Sequence, residues 1–346
     1  MSTGPVSTAG APAPHVRRTV LPAARGPVSR ILLDVLRQAP GTPLELPLLD
    51  PSRALLGDDD VQLALYLCYE LHYGALDGVE DRWEWDPGLL AFRGVLERAF
   101  EASLAAVVPA PAATAPAQVA AALRALVARE GPPLARYVEA RATREQVGEL
   151  LIHRSAYQLK EADPHSWAIA RLAGPPKAAL VEVQADEYGG GRAERVHATL
   201  FAKAMIALGL DPAYGAYLER IPGVTLATVN LMSLCGLHRR LRGAIVGHLA
   251  AFEMTSSLPN RRYGNGLRRL GFDGEAVEFF DEHVEADAVH EQVAAWDLAG
   301  GLALAEPELA PDILWGARAL LELEARWAGH LLGAWEAGES SLLARP

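Results

Sequence analysis

Apolar residues in this chain recur every three or four positions over long stretches and seldom alternate singly. Ile31, Leu32, Val35 and Leu36 form one such stripe, and Leu90, Phe92, Val95, Leu96 and Phe100 form another. This spacing puts side chains on one face of a helix. The stretch 40–60 between them carries Pro and Gly and reads as a long loop. From residue 119 the helical period continues through 119–129, 134–159, 178–208, 212–219, 226–255, 274–304 and 311–336. Strand-like alternation is scarce, so the pattern predicts an all-α fold. Helices of this length with short connections pack most simply as a bundle.

Composition divides the chain. Residues 1–28 combine Pro, Gly, Ala and Ser with few large apolar groups, which predicts a disordered tail. Residues 29–115 are expected to form an N-terminal helical subdomain that ends in a linker, since the Pro-rich run VPAPAATAPAQ at 108–118 favours extended backbone. The remainder, 116–340, is the main helical domain. The net charge of -11, from 32 basic and 43 acidic side chains, argues against a nucleic-acid partner, because phosphates would be repelled. Cys68 and Cys235 are too few for a disulfide framework or a cysteine-based metal site, and they fit a reducing, cytoplasmic setting. No apolar stretch is long enough to span a membrane, and the first residues lack the basic and apolar pattern of a secretory signal.

The most informative chemistry lies in DEHVEADAVHE, residues 281–291, where His283, Asp287 and His290 stand at i, i+4 and i+7. At about 100° per residue all three project within one narrow wedge of a helix. Imidazoles with a carboxylate suit iron, manganese or zinc, and further carboxylates from other helices would allow a second metal. The competing reading is a solvated acidic helix. Glu253 lies in the apolar run AIVGHLAAFEMTSS, where a lone carboxylate is costly unless paired, protonated or metal-bound. Glu161 in SAYQLKEADPHSW, and Glu187 with His197 in VEVQADEYGGGRAERVHATLF, are similarly embedded. For any one of these glutamates taken alone, a salt bridge to Arg or Lys is the favoured reading.

Taken in order, KEADPHSW, DEYGGGRAERVH, GHLAAFEMTSSLPNRRY and DEHVEADAVHE resemble the haem-oxygenase-like diiron oxidases, the iron-containing redox enzymes, over residues 145–335. They are most similar to the branch that contains the metal domain of N-oxygenases. The resemblance implies a haem-oxygenase-like bundle holding two Fe ions that cycle between Fe2+ and Fe3+, with O2 as co-substrate. It maps Glu161, His197, Glu253, His283, Asp287 and His290 onto the family's six usual ligands, and Glu187 onto an additional carboxylate of that branch. It further implies oxidation of a small organic molecule, with electrons from an external donor, in natural-product biosynthesis. N-oxygenation of an amine or guanidine is the narrow expectation, and oxidative C–C cleavage or desaturation of an amino acid or fatty acid is the alternative within the fold. A cofactor-free oxidase and a non-catalytic iron-binding or scaffold protein are the other readings. The N-terminal subdomain is compatible with a homodimer.

Two geometric expectations follow. Glu187 and His197 are ten residues apart, about 15 Å along an ideal helix, so they reach one site only if Gly189, Gly190 and Gly191 break the helix. His165 and His248 are read as structural histidines, and Asp186 as a partner beside the site. Substrate contacts fall among the residues flanking the ligand segments, chiefly Tyr157, Arg192 and Arg262. His153, Arg154, Trp167, Arg261 and Tyr263 are equally placed by sequence. Two adjacent arginines on a helix cannot both face inward, which leaves at least one of Arg261 and Arg262 to surface ion pairs.

Overall fold

The computed structural model describes residues 18–49 and 54–344, the side chains of 18 and 286–289 excepted. In chain order its α-helices are α1 (Pro27–Leu36), α2 (Asp59–Glu70), α3 (Pro87–Val107), α4 (Val119–Val127), α5 (Leu134–Ala140), α6 (Arg144–Gln158), α7 (Asp163–Ser166), α8 (Gly174–Glu187), α9 (His197–Ala207), α10 (Gly223–Leu237), α11 (Arg242–Arg269), α12 (Glu275–Gln292), α13 (Gly301–Ala305) and α14 (Ala310–Glu336). The fold is all-α. The only strands among the described residues are a two-residue parallel pairing of Arg18–Thr19 with Ala75–Leu76.

Local chemistry sets the helix starts. The Asp58 and Asp86 side chains accept backbone N–H bonds at the heads of α2 and α3, and Pro87 follows at a position where its missing N–H costs nothing. Thr143 and Gln146 form a reciprocal capping box at α6, which splits the predicted 134–159 helix into α5 and α6. The expected tail also differs in part. Residues 1–17 lie outside the described residues, but 18–26 are held by the pairing with Ala75–Leu76, by Ala23 N donating to Glu219, and by Arg25 donating to the Leu218 carbonyl. Backbone pairing and side-chain bonds order a segment whose composition lacks apolar bulk.

α11 is the spine. It packs on α5, α10, α12 and α14. Its seam with α14 is tight because Gly247 lies against the Ile313 carbonyl and Gly316 against the Ala244 carbonyl, where any Cβ would collide with backbone. Two apolar cores flank this spine. One joins α1–α3 with α10, the first half of α11 and the first half of α14, so the N-terminal helices share a core with the bundle. The other joins α5, α6, α9 and α12 with the last turns of α11 and α14. Along α11 the first core ends at Ala251 and the second begins near Leu267. The acids and histidines of interest lie between.

Candidate metal centre

Backbone irregularities aim several of the site's side chains. After α6 ends at Gln158 the chain turns sharply, and Ala162 adopts φ 72°, the one non-glycine at positive φ among the described residues. An alanine there costs about 1–2 kcal/mol, and it lies immediately after Glu161. α8 ends on Glu187, and Gly189, Gly190 and Gly191 all take positive φ before α9 begins on His197. The glycine turn anticipated from the spacing is therefore present. A Cβ on Gly189 would sit 2.6 Å from Arg195 C and Val196 N. Glu253 comes from α11, and His283 and His290 from α12.

These side chains converge in two buried groups. Donor atoms of Glu161, Glu187, His197 and His283 lie within 4.8 Å of one another, and so do those of Glu187, Glu253 and His290. Glu187 belongs to both. His197 Nδ1 approaches Glu187 Oε2 to 2.8 Å, His283 Nε2 lies 3.5 Å from Glu161 Oε1, and His290 Nδ1 lies 3.4 Å from Glu253 Oε2 and 4.0 Å from Glu187 Oε1. Among the described residues, Glu161 Oε2 is buried without a hydrogen-bond partner, and Glu187 Oε2, His197 Nδ1 and His290 Nδ1, also buried, meet their neighbours only in ion-pair contacts that lack hydrogen-bond geometry. Orphaned lone pairs in such numbers are costly unless a cation receives them. Carboxylates mixed with imidazoles are the donor set that suits iron, so the residues present fit the metal.

Outer contacts fix two of the rings. His283 Nδ1 donates to the Phe279 carbonyl at 2.7 Å, leaving Nε2 toward Glu161. His290 Nε2 bonds Asp186 Oδ2 at 3.0 Å, leaving Nδ1 toward Glu187 and Glu253. Such partners hold a ligating histidine in one tautomer. Burial pushes the Glu187 carboxyl up, but His197, then His283 and His290, outweigh it and bring its pKa to about 2. Burial likewise lowers His290, yet Glu253, Asp186 and Glu187 raise its pKa to about 9. The cluster thus favours positive charge where the lone pairs meet.

A small cavity among Tyr157, Glu161, Glu187, Phe252, Glu253 and His283 lies at the centre of the cluster. It shares Phe252, Ser256 and His283 with a much larger chamber of about 620 Å³ whose lining includes the loop at 129–132 and one face of α14. Of the residues named from sequence, Tyr157 lines the small cavity and packs edge-on against Phe252 at 5.6 Å. The side chain of Asp287 lies outside the described residues. Arg192 and Arg262 are not brought to the cluster. Arg192 is exposed beyond the glycine turn, and Arg262 faces Glu139 at 3.7 Å on a half-exposed surface. Arg262 thus makes the surface ion pair anticipated for one of the two adjacent arginines. His165 and His248 hydrogen-bond each other at 3.1 Å, both fully buried. His153 bonds Thr225 and Ser341, away from the cluster. Sequence reasoning missed Gln158, Glu324 and Trp327, which line the chamber.

Comparison with known proteins bears on the family and the fold. The nitrosourea synthase of Streptomyces achromogenes subsp. streptozoticus is 27% identical over 201 residues, 56% of this chain and 42% of that protein. The chain therefore spans less than half the length of this relative. Two crystal structures of a CADD-like protein of unknown function from Nostoc punctiforme, at 2.00 and 1.35 Å, are similar in fold. Their TM-scores are 0.51 and 0.50 and their identities 17% and 15%, over 62% and 66% of this chain and 96% and 98% of theirs. Residues 148–325, just over half the chain and spanning all the candidate ligands, match the family model described as iron-containing redox enzyme. With that match, the chain belongs to the iron-containing redox enzyme family, haem-oxygenase-like oxidoreductases.

Proposed function

We propose that the chain is a non-haem diiron oxidase or oxygenase that uses O2 to oxidise a small organic molecule, with oxygenation of an amine or guanidine nitrogen as the favoured reaction. The observation that carries the diiron reading is the pair of buried ligand groups with Glu187 in common, an arrangement that suits one carboxylate spanning two metals. The nitrogen-directed reading rests on the likeness to nitrosourea synthase.

In this reading Glu161, His197 and His283 would hold one iron and Glu253 and His290 the other, with Glu187 available to both and Asp287 completing the set. Bound iron supplies activation of O2 for oxidation of the substrate. The chain's own residues do the rest. Asp186 and the Phe279 carbonyl hold His290 and His283 in the ligating tautomer. Tyr157, Leu249 and Phe252 wall the small cavity and exclude water. The large chamber delivers substrate past Ser256 and His283.

The test is anaerobic loading with Fe(II), metal analysis, and optical monitoring on admitting O2. Two irons per chain and a change in absorbance dependent on O2 support the proposal. Glu187→Ala is expected to lower the stoichiometry at both positions. Loading with a single iron, or loss at one position only in that variant, would sink the shared-ligand reading.

A further inference from the structure

One polar side chain on the wall of the small cavity, Gln184, is neither a candidate ligand nor fully used by the protein around it. Gln184 lies one turn before Glu187 on α8, so the two share a helix face. Its side chain is buried, 2% exposed, and lines the cavity with Glu161, Glu187, Glu253 and His283. The amide nitrogen donates to the Ala162 carbonyl at 2.8 Å and to Ser166 Oγ at 2.7 Å, which uses both of its hydrogens. The amide oxygen, Oε1, is buried and has no hydrogen-bond partner among the described residues.

Turning the amide over does not relieve this. A backbone carbonyl only accepts, so a flipped Gln184 would set lone pair against lone pair at Ala162. The strained turn at Ala162 thus presents the carbonyl that fixes the amide's direction. The hydroxyls beyond are locked in the same sense. Tyr188 donates its hydrogen to Asp163 Oδ1 at 2.9 Å, so toward Ser166 Oγ, 2.8 Å away, it accepts. Ser166 therefore donates to Tyr188 and accepts from Gln184. The hydrogens of this chain run outward from Gln184 to Asp163, and one acceptor is left at the cavity end.

An amide oxygen accepts only, so whatever meets it must bring a hydrogen, and a buried one that meets nothing is costly. The cavity has a volume of about 10 Å³, room for a single water. We propose that Gln184 is a positioning residue whose Oε1 accepts one O–H of a water or hydroxide in this cavity. That bond leaves the lone pairs of the held oxygen to the other walls, where the ligand groups stand. Tyr157, Leu249 and Phe252 keep bulk water out, so the held molecule is one and not a chain. An anion that brings no hydrogen, such as azide, sets its lone pairs against Oε1 and is disfavoured. That the held oxygen serves a metal-centred oxidation rests on the proposed function; the direction of the hydrogen bond does not.

The test has two arms, both on the full chain. In crystal structures of the metal-free and the Fe(II)-loaded protein, an ordered water is expected about 2.5–3.0 Å from Gln184 Oε1. Gln184→Met, which keeps the bulk and removes the acceptor, should lose it. In the second arm, protein loaded with iron and oxidised by O2 is titrated with azide and followed by the absorbance band of azide on ferric iron. At equal iron stoichiometry the variant should bind azide about three- to tenfold more tightly than the natural chain. An Oε1 without a water neighbour, an Oε1 bonded directly to iron, or an amide with its nitrogen turned into the cavity would overturn the proposal. So would azide that, with iron loaded, binds both proteins alike or neither. If the variant fails to fold or to load, the crystal structures of the natural chain still decide. Because the metal-free structure needs no iron, a water in place on Oε1 in a protein that loads no iron would sink the diiron reading and leave this one standing.

Discussion

Asp186 has 61% of its side chain exposed, yet it bonds the buried ring of His290. That bond leaves Nδ1 as the atom facing Glu187 and Glu253. Asp186→Ala should leave the fold intact and weaken iron binding roughly 10- to 100-fold, the usual loss when such an outer partner is removed. Competition against a chelator measures it, and unchanged affinity would mean the tautomer is fixed by other means. A second prediction concerns His153, whose burial, with His330 and Arg154 nearby, holds its pKa well below 6.5. It stays neutral in the fold while the unfolded chain protonates near 6.5, so its contribution is present above that pH and is lost as pH falls below it. Urea midpoints at pH 7.5 and 5 should therefore diverge, and His153→Gln should reduce the divergence. The acids and histidines were legible because each sits in apolar helical sequence where a lone charge is expensive. The ion pair of Arg154 with Glu324 on the chamber wall was not, since 170 residues separate its members and nothing local in either segment marks the other. Arg192 and Arg262 looked equivalent to Arg154 for the same reason: adjacency to a ligand segment says nothing about which way a side chain leaves the helix.

At the level of elements, the turn at Gly189–Gly191 does what no straight helix can, returning the chain so that residues ten apart reach one cluster. Gly189→Ala is expected to cost more stability than Gly191→Ala. Both incur the positive-φ penalty of about 1–2 kcal/mol, but only the first also drives a Cβ into Arg195 and Val196, while Gly191 faces open space. Thermal melts of the two variants give the ordering, and iron analysis should show the larger loss for Gly189→Ala; equal melts would remove the steric argument. The need for this turn was legible from the spacing of Glu187 and His197. Other boundaries were not, because the apolar period stays in phase across them. The predicted 274–304 helix instead passes from α12 into a π-helical stretch, Val293–Gly300, and then α13. The run at 18–26 escaped notice because its order comes from partners near residues 75 and 219 rather than from its own pattern.

Across the whole molecule, a buried ion pair links the N-terminal helices to the segment beside the metal cluster. Glu70 on α2 pairs with the fully buried Lys160, next to Glu161, and Tyr214 donates to the same carboxylate at 2.5 Å. Glu70→Gln removes the carboxylate charge paired with the buried Lys160 ammonium and should cost about 3–5 kcal/mol, whereas replacing both residues with Met should cost far less. Chemical denaturation of the two single variants and the double variant tests this; additive losses would mean the pair is not coupled. The fold's plan carries a different consequence through α11. This helix is the spine of the molecule, but its middle crosses the gap between the two cores, lines the chamber, and contains Pro259. Proline supplies no N–H to the carbonyl one turn earlier, at Thr255. A rung of the ladder that begins two residues beyond the candidate ligand Glu253 is thus missing by construction. Opening of the backbone should begin there rather than at the helix ends. In deuterium-exchange measurements, amides near residues 253–260 are expected to exchange faster than those at 244–251 in the same helix, and iron should slow the faster set. Molecular breathing and substrate entry would then share a single place in the chain.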